Sequence, residues 1–167
     1  LADGHARQPQ CDGEPVGDRI VRHPDVGIVS ITGDVNTGKL IHTNASDTLK
    51  RVHLELGGKA PVVVFDDADL ESVVEWISIA GYFNAGQDCT AATRVLAGPG
   101  VHNDFVSALT EQAKNTKTGM PDDEDVLYGP MLDQRFATRF EEYLGWIQPH
   151  HKVLGSSGTG RISGANP

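Results

Sequence analysis

Arg51-Val52-His53-Leu54-Glu55-Leu56-Gly57-Gly58 alternates polar and apolar side chains and then stops at two glycines. Val52, Leu54 and Leu56 fall on one face of an extended segment, and Arg51, His53 and Glu55 on the other. That period of two makes a strand, and Gly57-Gly58 ends it. Upstream, Gly27–Ile31 is a short apolar run of the kind found in a buried parallel strand. Thr32-Gly33-Asp34 breaks it. From Gly38 to about Asp47 the pattern reads as a helix, with Ile41 and Ala45 on one face. Downstream, Val62–Phe65 predicts another buried strand. Asp66, Asp67 and Asp69 are placed to cap a helix whose apolar positions are Leu70, Val73, Val74 and Ile77. Thr93–Ala97 predicts a further strand. Val101–Lys117 predicts an amphipathic helix with Phe105 and Leu109 inward. Gly119–Pro130 reads as a loop, and Phe136, Phe140, Tyr143, Leu144 and Ile147 mark a last helix. Residues 1–15 and Gly155–Pro167 carry no period and read as loose ends. Strands that alternate with helices predict an α/β fold with parallel strands.

The chain has 167 residues, 38% of them hydrophobic and 22% charged, as in an ordinary globular protein. Fourteen basic against 23 acidic residues give a net charge of −9, which argues against nucleic acid or an anionic membrane as partner. No apolar run approaches the roughly 20 residues a transmembrane helix needs. Leu1–Gln10 is polar and lacks the apolar core of a signal peptide. Two cysteines, Cys11 and Cys89, make no disulfide framework, so a reducing cytoplasm is the expected location. Seven histidines fall at no metal-ligand spacing, and no metal is expected.

Three segments are built of residues that a core does not call for. In Asn84-Ala85-Gly86-Gln87-Asp88-Cys89-Thr90-Ala91-Ala92, a cysteine sits among small and polar residues where backbone can approach a ligand. A small buried thiol is the alternative reading, and it is the reading for Cys11. In Leu54-Glu55-Leu56-Gly57-Gly58-Lys59, a carboxylate stands at the end of a strand beside a glycine turn. Partial burial would raise its pKa and make it a base near neutral pH. The alternative is an ion pair with Lys59 or Arg51. Gly33-Asp34-Val35-Asn36-Thr37-Gly38 turns from strand into helix, where free N–H groups can bind phosphate, although it lacks the Lys-Ser/Thr of a P-loop.

Taken together, these segments resemble the aldehyde dehydrogenase superfamily. Leu54-Glu55-Leu56-Gly57-Gly58-Lys59 is similar to its glutamate signature and Asn84-x-Gly86-Gln87-x-Cys89 to its cysteine signature. The two signature residues stand 34 positions apart, the usual family spacing. His23-Pro24, Ile31-Thr32-Gly33 with Gly38, Pro61 to Asp69, and Gly129-Pro130 also fit, so the resemblance spans residues 16–155. Lys59-Ala60-Pro61, Asp66-Asp67-Ala68-Asp69 and the run from Gly81 to Ala92 look most like aminobutyraldehyde dehydrogenases. That implies ω-aminoaldehyde substrates from polyamine breakdown.

The resemblance implies Cys89 as nucleophile and Glu55 as general base. It implies Thr32, Gly33, Asp34, Gly38, Leu56 and Gly57 at an NAD site, with NADP the alternative. The family usually has serine where Asp34 stands, and a carboxylate there repels a pyrophosphate. Asp88 has two readings: a carboxylate hydrogen-bonded to nearby backbone N–H groups, or a source of negative potential that favours a cationic substrate. Residues 1–56 are expected to be the end of a Rossmann-type dinucleotide domain, and 57–167 the first part of the α/β catalytic domain. Family members are much longer, and a full-length form is expected to be a homo-oligomer, dimer or tetramer, acting on a small aldehyde. Two other readings stay open at this point: an inert truncated fragment, and an ester hydrolase that uses Cys89 and Glu55 without cofactor.

Overall fold

In the computed structural model, residues 13–155 are described, and the expectations for Cys11 and for the two chain ends beyond them lie outside the described residues. The chain divides into two compact units, residues 1–57 and 58–167. Each holds a pair of parallel strands joined through a helix.

In the first unit a short helix α1 (Asp18–Arg22) precedes strand β1 (Ile28–Gly33), helix α2 (Val35–Ala45) and strand β2 (Arg51–Leu56). The strands pair in parallel, with Ser30 opposite His53, Thr32 opposite Glu55 and Gly33 opposite Leu56. Helix α2 packs on the face that carries Leu56. A Cβ at Gly38 would come within 2.7 Å of the Leu56 Cδ1, so only glycine lets helix and strand approach this closely. α1 is tied to the end of α2 by polar groups. Asp18 accepts from Asn44 Nδ2 at 2.7 Å and from Arg22 Nε at 3.0 Å. Lys50 is buried, and its ammonium donates to the His23 carbonyl at 2.7 Å. The sequence reading missed α1, which is too short to show an apolar period.

In the second unit β3 (Pro61–Val64) leads to α3 (Leu70–Tyr82). Then come β4 (Arg94–Ala97), α4 (His102–Asn115) and, beyond a long loop, α5 (Gln134–Leu144). β3 and β4 are parallel, with Pro61 opposite Arg94 and Val64 opposite Ala97. The core is Val64 from β3, Val74 and Ile77 from α3, Val101, and Phe105 from α4, with Leu109 packed against it. These are the positions that helical and strand periods pick out.

Several expectations need correction in detail. α2 starts at Val35 rather than Gly38, because Asp34 caps it: its carboxylate accepts the Asn36 N–H at 2.8 Å. Asp69 stands at the N-cap of α3, but its carboxylate takes the Ser72 hydroxyl at 2.8 Å rather than a backbone N–H. Asp66 instead accepts the Gly100 N–H at 3.0 Å. β1 and β3 were expected to be buried on both faces. Each is covered on one face, so Ile28, Val63 and Phe65 are exposed. α5 lies where expected, but its apolar side chains Phe136, Phe140, Tyr143 and Leu144 are all exposed.

The Gly38–Leu56 contact is testable. Gly38→Val should cost about 1–3 kcal/mol of unfolding free energy by overpacking, read from urea denaturation. The loss should shrink when the same change is made in a Leu56→Ala background, where the space for a side chain exists. Equal losses in both backgrounds would show that Gly38 is needed for another reason.

Candidate active site

Parallel pairing carries Thr32 and Gly33 of β1 and Glu55 and Leu56 of β2 to the same edge of the first sheet. That edge, the carboxyl end of parallel strands, is where ligands bind in α/β folds. Gly57 meets no other group where a Cβ would stand, and Gly33 meets only Ile31 of its own strand, so the backbone is open there. Ser30, Thr32, His53 and Glu55 share the face of the sheet opposite α2, and all four are exposed.

Glu55 departs from expectation in two ways. Its side chain is 60% exposed rather than partly buried. Its partner is His53, whose Nε2 lies 3.1 Å from the carboxylate Oε1, and neither Lys59 nor Arg51 pairs with it. The Lys59 ammonium donates to the Gly58 carbonyl. On its other side His53 Nδ1 lies 3.0 Å from the Ser30 hydroxyl across the strand pair. Ser30, His53 and Glu55 thus form a row, joined by the Ser30–His53 hydrogen bond and by the close approach of His53 Nε2 to the Glu55 carboxylate. Neither Ser30 nor His53 was singled out from sequence. The two-residue spacing from Glu55 puts His53 on its face, but the Ser30 contact depends on the strand register.

Cys89 lies in the second unit on a loop that local bonds hold in an unusual shape. Asn84, Ala85 and Gly86 are consecutive left-handed residues, with φ of 52°, 56° and 74°. For alanine that conformation costs about 1–2 kcal/mol, and such strain gathers at functional sites. The turn is closed by Gln87, whose side-chain amide donates to the Asn84 carbonyl at 2.9 Å and whose amide oxygen accepts the Leu132 N–H at 3.1 Å. Asn84 Nδ2 returns a bond to the Gln87 carbonyl at 3.1 Å. Cys89 itself is exposed, which removes the buried-thiol reading. Gly58 passes beside its carbonyl: a Cβ there would stand 3.7 Å from the Cys89 oxygen.

Asp88 takes the first of its two readings. Its carboxylate accepts the Thr90 N–H at 2.8 Å and the Thr90 hydroxyl at 2.9 Å. The Thr90 bonds, backbone first, hold its pKa below the usual carboxylate value, with a smaller contribution from the Cys89 thiol. Hollows of about 480 and 320 Å³ lie along α5 and beside β3 and α3. Neither is lined by Cys89 or Glu55. The first is lined mainly by the polar side chains of α5 and the second mainly by apolar ones. Among the described residues no group of His, Cys, Asp or Glu is arranged to hold a metal. No helix among them is long and apolar enough to cross a membrane.

The aldehyde dehydrogenase family profile matches residues 10–160. An aldehyde dehydrogenase from Emericella nidulans is 36% identical over 146 residues, covering 87% of this chain and 29% of the relative. A betaine aldehyde dehydrogenase from Mesorhizobium japonicum is 35% identical over 165 residues, 99% of this chain and 31% of the relative. Among solved structures, a betaine aldehyde dehydrogenase from Staphylococcus aureus in complex with NAD+ superposes with a TM-score of 0.77 at 39% identity. The match covers 80% of this chain and 26% of that one. Lactaldehyde dehydrogenase from Escherichia coli gives 0.77 at 38%, over 80% and 28%. The chain therefore spans about 30% of the length of the curated relatives it matches. Where these relatives are named for a substrate, it is betaine aldehyde or lactaldehyde, not aminobutyraldehyde.

An exposed thiol on a loop of this kind should be the one an electrophile reaches first. Limited treatment with iodoacetamide at neutral pH, followed by peptide mapping, should place the label on the Cys89 peptide ahead of the Cys11 peptide. The reverse order would count against Cys89 as a nucleophile.

Proposed function

This chain belongs to the aldehyde dehydrogenase family, and we propose that it supplies the nucleophile and the general base for NAD(P)-dependent oxidation of an aldehyde to the carboxylic acid. The reading rests above all on the two side chains that the folded segments leave exposed. Cys89 stands on a strained, tightly bonded loop, and Glu55 ends a parallel strand with one carboxylate oxygen engaged by His53. The two units would be the end of a dinucleotide-binding domain, residues 1–56, and the first part of the catalytic domain, residues 57–167.

The open strand ends fit the cofactor. Thr32, Gly33, Leu56 and Gly57 would hold it at the carboxyl edge of β1 and β2, and Gly38 lets α2 sit close beneath. The N-terminus of α2 fits less well. Asp34 already caps it through the Asn36 N–H, and its negative charge opposes a phosphate at that point. When bound, the cofactor accepts the hydride that the substrate carbon gives up.

Cys89 acts as thiolate and adds to the aldehyde carbon, forming a thiohemiacetal whose oxyanion the Cys89 main-chain N–H would stabilise. Loss of the hydride leaves a thioester on the Cys89 sulfur. Glu55 then takes a proton from water, whose oxygen attacks the thioester carbon and releases the acid and the thiol. A full-length protein built around this segment would act on small aldehydes as a homo-oligomer. The 167 residues alone, which leave apolar side chains of their strands and of α5 exposed, would be inert.

In a full-length protein carrying this segment, Glu55→Gln should spare acylation and slow thioester hydrolysis by about 10²-fold or more. Rapid mixing should show a burst of NADH followed by slow turnover. Equal loss of both phases would remove Glu55 from the role of base.

The finer reading of the substrate as an ω-aminoaldehyde such as 4-aminobutanal rests on the resemblance of Lys59–Pro61, Asp66–Asp69 and Gly81–Ala92. It draws no support from Asp88, whose carboxylate is spent on Thr90. Asp88→Asn should therefore lower kcat/KM for 4-aminobutanal and for butanal together and leave their ratio unchanged. A selective loss for the amine would restore Asp88 as a specificity residue.

A further inference from the structure

We propose that His53 is a positioning residue for Glu55: it fixes one carboxylate oxygen and leaves the other to meet the attacking water. The inference rests on Glu55 being the base. Three observations carry it. The spacing of two along β2 puts both side chains on one face, and Nε2 reaches Oε1 at 3.1 Å. Register puts Ser30 opposite His53, and its hydroxyl lies 3.0 Å from Nδ1. No backbone N–H or other side chain among the described residues holds the carboxylate.

The proton positions follow from the donors available. The Glu55 carboxylate only accepts, whereas a serine hydroxyl both donates and accepts, so the neutral imidazole that suits both neighbours carries its proton on Nε2, beside Oε1, and takes the Ser30 hydroxyl proton at Nδ1. Glu55 thus favours the tautomer, Ser30 holds the ring, and His53 so held sits against one carboxylate oxygen. Oε2 stays available to accept a proton from water. The other groups around the pair are few. Arg51 shares the face on β2, β1 contributes the uncharged Ser30 and Thr32, and α2, with Lys39 and His42, packs on the opposite face.

The experiment follows the Cys89 acyl-enzyme directly. A full-length protein carrying this segment is mixed with propanal and NAD and quenched in acid. The decay of the acyl adduct is then measured by mass spectrometry at pH 8. His53→Ala should slow decay about tenfold while leaving acyl formation within twofold. His53→Gln, which keeps an N–H donor, should recover most of that rate. Wild-type decay in both His53 variants would overturn the proposal, as would equal slowing of formation and decay. Glu55→Gln in the same assay separates the two levels. If it decays normally, the base assignment itself fails. If it decays slowly while the His53 variants do not, only the positioning role is lost.

Discussion

The structure of this chain depends on the parallel register of its two strand pairs. Parallel strands need a crossover, and here a helix supplies it in each unit. Because the strands run the same way, whatever follows β1 and β2 gathers at one edge, and whatever precedes β3 and β4 gathers at another. The first edge receives Thr32, Gly33, Glu55 and Leu56, since Thr32 is opposite Glu55 and Gly33 opposite Leu56. The second receives Gly58 and the loop that carries Cys89, since Pro61 is opposite Arg94. The close contact of Gly58 with the Cys89 carbonyl is a local result of that pairing. Shifting either register by one residue would turn Glu55 to the α2 face or separate Gly58 from the cysteine loop.

Much of this was legible in the sequence because periodicity reports which face of an element is covered. The alternation in Arg51–Leu56 placed β2 to the residue, and Val74, Ile77 and Phe105 were found in the core where helical spacing put them. The proposed nucleophile and base were also conspicuous, Cys89 among small and polar residues and Glu55 beside the glycines that end its strand. What periodicity leaves out is the identity of hydrogen-bond partners. An ion pair of Glu55 with Lys59 or Arg51 was the alternative reading by charge, yet alternation turns His53 to the same side, and its Nε2 is the group that meets the carboxylate. The Ser30 contact joins residues 23 apart in sequence and exists only once the strands pair.

The acidic residues illustrate a second limit. Asp34 and Asp88 both invited functional readings because each adjoins a residue of the site. Both use the same local device, a carboxylate that accepts the N–H two residues on, from Asn36 and from Thr90. Aspartate is short enough to reach its own backbone in this way, and the loop beside it gains a fixed shape. Glutamate is one methylene longer and does not close the same ring. Of these three carboxylates, Glu55 is the one not bonded to a backbone N–H of its own turn. That difference in side-chain length separates the two aspartates, which shape their loops, from the glutamate proposed as the base.

The two open sheet faces sharpen the same distinction. In a parallel sheet both faces are ordinarily covered, and the strands read as continuous apolar runs. β3 obeys this: Val62, Val63 and Val64 followed by Phe65 carry apolar side chains on both faces, and its uncovered face shows Val63 and Phe65. Such a face asks for packing by further chain. The open face of β1 and β2 is of another kind. It carries Ser30 and Thr32 on one strand and Arg51, His53 and Glu55 on the other, with Ile28 at its far end. Apolar packing over such a face would strip water from a carboxylate and an imidazole without giving them new partners, at a cost of several kcal/mol for the charged group. A strand pair that is apolar toward its helix and polar on its other side is built to meet water and polar ligand. The polarity of that face is a property of the whole strand pair rather than of any single residue on it, and it is what the proposed role of Glu55 requires of its surroundings.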